Sequence, residues 1–249
     1  MIDIFNIPLY YISFKTESNL EKNLLDVGFK NINHFKAVDG RNFKPNDLID
    51  KNLITIRSYN DLVSKRHQHS GLPSLGAVGC TMSHNELWKL CVEKSLPYIC
   101  IAEADLYIDK ITLKIKKKIQ TILEKPNSVF VSANINSKKI FKFMGTHFCI
   151  ISLSACKELI KEAFPIDVQT DSYISHMDTI KKINLGGFPI GKQKIHISSI
   201  QELCVKCNLP TNIFFYIVFF LKAISILVVL IFIILLCLNY NFCTNNIQK

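Results

Sequence analysis

Apolar and polar stretches alternate along the first two hundred residues, and each stretch predicts one structural element. Short apolar runs predict buried strands at residues 7–13, 33–38, 98–102, 129–131 and 147–151. Helical spacing of apolar positions predicts helices that begin at Ser18 and cover residues 80–94, 113–123 and 154–164. Strands that alternate with helices in this way predict an α/β fold with a mainly parallel sheet covered on both faces.

The segment of residues 41–75 is mostly polar and contains Pro45, Gly71 and Pro73. It predicts a long loop with one short helix. Its end, residues 64–70, is basic, and two interpretations stay open for it. It is a solvated loop, which is the commoner case, or a mobile lid over an anionic ligand.

A long apolar run lies near the other end of the chain. Residues 213–238 contain Lys222 as their only charge, and roughly 20 apolar residues suffice to cross a bilayer. A buried core helix is the alternative, but such a helix is rarely apolar all round. We therefore expect a folded domain over residues 1–205, a linker over 206–212, a transmembrane helix over 213–238 and a tail over 239–249.

The charges that flank this run predict an orientation. The chain starts without the basic and apolar regions of a signal peptide. Lys206 and a basic domain precede the run, whereas the tail carries only Lys249. The positive-inside rule then predicts a single-pass membrane protein whose larger domain lies in the cytoplasm.

Composition excludes some classes of protein. The chain has 249 residues, 49% of them apolar, and a net charge of +10 from 30 basic and 20 acidic residues. It can bury a sizeable core and is not disordered. The only arginines are Arg41, Arg57 and Arg66, which argues against a protein that reads DNA bases, and we expect no nucleic-acid partner.

The nine cysteines do not predict a disulfide framework. Most lie in apolar surroundings, where a free cysteine acts as a small hydrophobic residue: Cys80, Cys91, Cys100, Cys149 and Cys156. Cys204 and Cys207 have metal-like spacing, but no second pair of ligands accompanies them, so a zinc site is not expected there.

Two acidic residues follow the apolar strand of residues 98–102. Ligands of open α/β sheets bind beyond the carboxyl ends of the strands, and Glu103 and Asp105 lie at such an end. Residues two apart in an extended chain point the same way, so both carboxylates can hold one Mg²⁺ or Mn²⁺ ion. Such an ion neutralises a diphosphate leaving group, as transfer from a nucleotide-sugar requires. The alternative is that one acid caps a helix and the other faces water.

Several segments, in a fixed order, resemble glycosyltransferase family 25, the lipooligosaccharide and collagen galactosyltransferase family. The segment 35–41, Phe-Lys-Ala-Val-Asp-Gly-Arg, is similar to one family motif. The most specific match is the run from Gly76 to His84, which contains Gly-Cys-x-x-Ser-His and is followed by Trp88. Other matches are residues 8–14, 97–105, 145–160 and 165–171.

The resemblance implies a GT-A type, Rossmann-like domain that binds a UDP-sugar donor with Mn²⁺ or Mg²⁺. It implies inverting transfer of galactose or glucose to a hydroxyl of a glycan, glycolipid or protein acceptor. On the matching positions, Glu103 and Asp105 hold the metal, and the residues expected at the donor are Asp39, Arg41, Ser83, His84 and Glu103.

Inversion needs a general base for the acceptor hydroxyl, and Asp171 is the candidate. The alternative for Asp171 is a helix N-terminal cap. Ser83 and His84 are expected to start a helix, where free N–H groups bind phosphate or sugar oxygens. A structural hydrogen bond is the alternative role of His84.

The sequence departs from the family pattern near two of these positions. The family's Glu-Asp-Asp is Glu103-Ala104-Asp105 here, and Lys15 stands near the place of an arginine after the first strand. An active membrane-anchored transferase is therefore the leading hypothesis. The second hypothesis is a catalytically impaired family member that binds nucleotide-sugars or acts as a scaffold.

Overall fold

A computed structural model of the protein describes residues 3–64, 71–124, 128–131, 146–184 and 191–193, together with residues 220, 221, 224 and 225. The chain divides into two compact units, Met1–Cys204 and Val205–Lys249. Among the described residues, no helix has both the length and the hydropathy that crossing a bilayer requires. The basic residues 65–70 and nearly all of the predicted span lie outside the described residues.

The first unit is built on a six-stranded sheet. Its strands, in chain order, are β1 (Leu9–Ser13), β2 (Ile32–Lys36), β3 (Tyr98–Glu103), β5 (Ser128–Val131), β6 (Phe148–Ser152) and β7 (Lys181–Asn184). They lie in the order β2-β1-β3-β6-β5-β7, and all except β6 run in the same direction. A separate antiparallel pair consists of β4 (Leu106–Ile108) and β8 (Gly191–Gln193). The predicted α/β class and mainly parallel sheet are confirmed.

Seven helices are described: α1 (Ser18–Val27), α2 (Pro45–Asp50), α3 (Ile56–Val63), α4 (Leu75–Glu93), α5 (Leu113–Leu123), α6 (Leu153–Lys161) and α7 (Thr170–His176). Successive side chains of the central strands point to opposite faces of the sheet, and each face carries one hydrophobic core. Cys100 and Ala102 of β3 face a core shared with α1 and α5, whereas Ile99 and Ile101 face a core shared with α4, α6 and α7. Helices therefore cover both faces of the sheet.

The described parts of the segment 41–75, residues 41–64 and 71–75, contain more helix than their composition predicts. They contain α2 and α3, and α4 begins at Leu75, five residues before the predicted start. Pro45 begins α2, where its missing N–H costs nothing. The Ser74 hydroxyl caps α4 by accepting a hydrogen bond from the Ala77 N–H at 3.2 Å. The prediction of one short helix in this segment is thus wrong. Pro45 and the Ser74 cap mark the starts of α2 and α4, and α3 lies between them.

Candidate active site

The site lies at the edge of the sheet where β1, β2 and β3 end. Because β1 pairs in parallel with β2 and β3, their carboxyl ends meet there. The antiparallel strand β6 begins at the same edge, and the Glu103 N–H donates to the His147 carbonyl oxygen at 2.9 Å. Chain direction therefore places His147 beside the end of β3, as the rule for open α/β sheets requires of ligand-binding residues.

Both carboxylate oxygens of Glu103 have a partner. The Thr146 hydroxyl donates to Oε1 at 2.6 Å, and Nδ1 of His147 lies 3.3 Å from Oε2. On the other side, Nε2 of His84 lies 3.7 Å from Oε1, which is an ion-pair distance rather than a hydrogen bond. The Glu103 side chain is only 19% exposed, so these contacts fix its orientation.

The two neighbouring histidines decide the ionisation of Glu103. Burial alone would raise the pKa of its carboxyl, but the hydrogen bond from His147 and the charges of His147 and His84 hold that pKa well below its usual range. Burial opposes protonation of His147, yet the hydrogen bond and charge of Glu103, with the charges of Asp105 and Asp171, raise its pKa. Both histidines therefore favour the charged form of the Glu103 carboxyl.

Asp105 joins Glu103 at this edge, although not by the predicted route. Strand β3 ends at Glu103, and Ala104 and Asp105 form a turn before β4, so the expected continuation of extended chain is wrong. The turn nevertheless brings one carboxylate oxygen each of Glu103 and Asp105, and a ring nitrogen of His147, within 4.8 Å of one another. Ala104 is exposed and takes no place in the cluster.

His147 was not among the predicted site residues. His147 lies in the segment 145–160, which resembles a family motif, and directly follows Thr146. This place in the motif was the signal in the sequence that could have identified it. Its contact with Glu103 depends on the antiparallel direction of β6. No pattern within the sequence states that direction.

Asp171 lies in the first turn of α7 and within electrostatic reach of the same cluster. Its charge helps to raise the pKa of His147 and, after burial and the charge of Glu103, that of Cys80. Gln169, not Asp171, precedes the helix as its N-cap residue, and the Asp171 carboxylate accepts from the Ser172 N–H at 2.7 Å. Asp171 is therefore not the N-cap residue itself, but its carboxylate does satisfy a free N–H of the first turn, which is part of the alternative capping role. The role of general base stays a prediction.

Asp39 and Arg41 lie just beyond β2 and pair with each other. Arg41 donates from Nε to Oδ1 of Asp39 at 2.7 Å and from Nη2 to Oδ2 at 2.8 Å. The guanidinium also lies 4.9 Å from the centre of the Phe14 ring. Hydrogen bonding from Arg41 lowers the pKa of Asp39. The pair stands at the same sheet edge as Glu103, and its predicted contact with the donor stays a prediction.

Ser83 and His84 lie in the middle of α4, so the expectation that they start a helix is wrong. The buried Ser83 hydroxyl accepts from the Val38 N–H at 2.9 Å and donates to the Gly79 carbonyl oxygen at 2.7 Å. It joins the loop after β2 to α4 and is not presented to solvent. His84 is fully buried and faces Glu103. Donor binding by both residues stays a prediction.

Two glycines explain why this loop and α4 approach so closely. A Cβ atom on Gly40 would lie 1.7 Å from the Leu75 carbonyl oxygen, and one on Gly79 would lie 2.4 Å from the Val38 carbonyl oxygen. Only glycine fits at either position. The Asp-Gly-Arg and Gly-Cys-x-x-Ser-His motifs are therefore two halves of one backbone contact.

Known proteins resemble this chain in sequence. The profile of glycosyltransferase family 25 (LPS biosynthesis protein) matches residues 7–140. A putative glycosyltransferase of Haemophilus influenzae is 28% identical over 183 residues, which cover 66% of this chain and 61% of that protein. A glycosyltransferase 25 family member of Drosophila melanogaster is 30% identical over 73 residues, which cover 29% of this chain and 11% of that protein.

The matches leave about two fifths of the Haemophilus influenzae protein and about nine tenths of the Drosophila melanogaster protein uncovered. Among solved structures, a glycosyltransferase involved in the glycosylation of the major capsid of PBCV-1 is 16% identical, with a TM-score of 0.31. That comparison covers 64% of this chain and 68% of the other. The sequence profile spans more than half of the 249 residues and includes Asp39, Arg41, Ser83, His84, Glu103 and Asp105. The chain therefore belongs to glycosyltransferase family 25.

Proposed function

We propose that the protein is an inverting glycosyltransferase that moves a hexose, galactose or glucose, from a UDP-sugar to a hydroxyl of a glycan, glycolipid or protein acceptor. The observation that carries this proposal is the convergence of Glu103, Asp105 and His147 at the carboxyl edge of the sheet of a family 25 chain. A GT-A type organisation of the domain is part of the same proposal.

The residues at this edge fit a divalent cation. Two carboxylates and one imidazole within 4.8 Å of one another are a ligand set that suits Mn²⁺, and Mg²⁺ accepts the carboxylates alone. Glu103, Asp105 and His147 would hold the ion. When bound, it would supply positive charge to the diphosphate of the leaving UDP.

The protein's own residues then have separate roles. The Thr146 hydroxyl holds one oxygen of Glu103, so that this carboxylate is already oriented when the donor arrives. Arg41, held by Asp39 and Phe14, offers a guanidinium to the donor from the neighbouring strand end.

Asp171 takes the proton of the acceptor hydroxyl in this proposal. The acceptor oxygen forms a bond to the anomeric carbon, the bond from that carbon to the diphosphate oxygen breaks, and the configuration inverts. A general base of this kind contributes about 10²–10⁴-fold to the rate. The position of Asp171 in the first turn of α7, within electrostatic reach of His147, supports the assignment.

We further propose that residues 213–238 anchor the domain to a membrane, with the catalytic part in the cytoplasm. The apolar run and the charges that flank it support this location. An anchor would keep the enzyme close to a membrane-bound acceptor and raise the effective concentration of that acceptor.

A panel of UDP-sugars tests the proposed activity. The full chain is incubated with each donor and Mn²⁺, and free UDP is measured for the wild type and for Asp105→Ala. We expect one donor to be turned over, with the rate lost in the variant and after chelation. UDP binding without turnover of any donor, with or without glycan acceptors, would instead favour the catalytically impaired member that Ala104 suggests.

A further inference from the structure

A second set of metal-type ligands lies on the opposite side of Glu103. Cys80 and His84 are four residues apart on α4, so both project from one face of this helix. The Cys80 sulfur, a ring nitrogen of His84 and a carboxylate oxygen of Glu103 all lie within 4.8 Å of one another. This thiol-containing set shares only Glu103 with the cluster of Glu103, Asp105 and His147.

The spacing of these atoms suits a small ion with tetrahedral geometry. Zinc bonds of about 2.0–2.3 Å place neighbouring ligand atoms of a tetrahedral site roughly 3.3–3.8 Å apart. Nε2 of His84 already lies 3.7 Å from Oε1 of Glu103. The largest separation in the set is at most 4.8 Å, so the ligand atoms need to approach one another by at most about 1 Å.

The His84 side chain supplies independent evidence for a ligand. It is fully buried, and neither of its ring nitrogens has a hydrogen-bond partner among the residues that the structure describes. Buried polar atoms are nearly always hydrogen-bonded, and the 3.7 Å contact between Nε2 of His84 and Oε1 of Glu103 is too long for a hydrogen bond, so a ligand shared by the two groups accounts for both. A metal ion accepts the lone pair of Nε2 and the charge of Glu103 together.

The surrounding charges favour a cation as that occupant. The carboxylates of Glu103, Asp171 and Asp105 all lie close enough to act electrostatically on Cys80. Negative charges on this side of the site attract a cation rather than a neutral or anionic occupant. On binding, the S–H bond breaks, a metal–sulfur bond forms and the proton passes to solvent.

We propose that Cys80, His84 and Glu103 form a zinc site with an open fourth position for water. Thiolate and imidazole ligands select the borderline-soft Zn²⁺ over Mn²⁺ or Mg²⁺, which prefer oxygen. Since Glu103 belongs to both sets, a bound zinc ion withdraws it from the oxygen-rich cluster. Inhibition of sugar transfer by Zn²⁺ is the consequence, and this consequence alone rests on the proposed function.

Cobalt substitution tests the site without any measurement of activity. The full chain, reduced and freed of metal, is titrated with Co²⁺ and then with Zn²⁺. We expect a thiolate-to-cobalt charge-transfer band and intense visible bands of four-coordinate Co²⁺, both removed by Zn²⁺. Cys80→Ser loses the charge-transfer band, and His84→Gln weakens zinc binding by at least about 100-fold, more than the roughly 10–100-fold of an outer-shell change.

Two controls locate the site. Asp105→Asn removes a ligand of the oxygen-rich cluster only, so its zinc affinity stays within a few-fold of the wild type. The Cys204→Ser, Cys207→Ser double variant keeps the charge-transfer band, because that pair lies outside the proposed site.

X-ray absorption of the wild-type zinc complex adds a test that needs no variant, in case Cys80→Ser fails to fold. One sulfur ligand per zinc ion is expected. A complex with no sulfur or with two sulfurs, or a charge-transfer band that survives Cys80→Ser, would overturn the proposal. A chain that binds zinc in this way but transfers no sugar would contradict the proposed function and leave the zinc site standing.

Discussion

The contact between Gly79 of α4 and the loop after β2 allows a quantitative prediction for Gly79→Ala. The new Cβ would lie 2.4 Å from the Val38 carbonyl oxygen and 2.5 Å from the Gly40 nitrogen. Real Cβ atoms essentially never come within 3.0 Å of such neighbours, and ordinary contact begins at 3.4 Å. Backbone must therefore move by about 0.6–1.0 Å, because no side-chain rotation relieves the clash.

That movement has a cost that can be worked from the structure. The hydrogen bond from the Val38 N–H to the Ser83 hydroxyl, now 2.9 Å, would reach 3.5 Å or more. Its loss costs about 0.5–1.5 kcal/mol, and overpacking costs about 1–3 kcal/mol. The gain from replacing glycine by alanine in a helix is about 1 kcal/mol. We expect the variant to be less stable by about 2 kcal/mol.

Denaturant unfolding of the full chain measures this difference. The midpoint of Gly79→Ala should shift down without a change in the slope. Glu86→Ala, an exposed position of the same helix, is the matched control and should change stability by less than about 0.5 kcal/mol. If Gly79→Ala were as stable as the wild type, or more stable through its helix propensity, the backbone contact inferred here would be wrong.

Three further predictions follow from other parts of the molecule. Burial, and then the hydrogen bond to Glu21, raise the pKa of Tyr11 to about 12. The free energy of unfolding should therefore fall as the pH rises from about 10 to 12. Unfolding measured over this pH range should show a smaller fall in the free energy of unfolding for Tyr11→Phe than for the wild type. Asp167 accepts from the Thr55 hydroxyl at 2.6 Å and pairs with Arg57, so Asp167→Ala should lower the free energy of unfolding by about 1–2 kcal/mol, whereas a loss below 0.3 kcal/mol would show that these contacts contribute nothing. Asp171→Asn should reduce kcat about 10²–10⁴-fold with little change in the KM for the donor, and steady-state kinetics would refute the base role by showing an unchanged kcat.

The pattern of apolar residues predicted five of the six strands of the sheet, because a buried strand leaves a short apolar run, but it did not predict β7. The runs of residues 98–102 and 147–151 correspond to β3 and β6. Such runs do not show whether a strand lies parallel or antiparallel to its neighbours. The antiparallel course of β6, which carries His147 to Glu103, follows from the path of the whole chain.

The start of α4 shows a second limit. The spacing of apolar positions predicted a helix over residues 80–94, and the glycines before it, Gly76 and Gly79, have low helix propensity. In the structure Gly79 is inside the helix because the loop after β2 packs against its backbone. Long-range packing outweighs local propensity here, and Ser83 and His84 consequently lie in mid-helix.

The prediction for the cysteines was right in one respect and incomplete in another. Cys80, Cys91, Cys100, Cys149 and Cys156 are all free thiols. Cys80, however, is not surrounded by apolar groups alone, since the charges of Glu103, Asp171 and Asp105 reach it. The neighbours of Cys80 come from β3 and α7, distant in sequence, and local hydropathy does not record them.

Manganese binding in the presence of UDP tests the central claim most directly. Electron paramagnetic resonance of free Mn²⁺, with and without UDP, gives the affinity for the wild type, Glu103→Gln, Asp105→Asn and the exposed control Asp26→Asn. We predict that UDP tightens Mn²⁺ binding to the wild type and the control, and that both site variants lose at least about 10-fold in affinity. Equal Mn²⁺ binding by all four proteins would contradict the assignment of the cation and diphosphate site to this edge of the sheet.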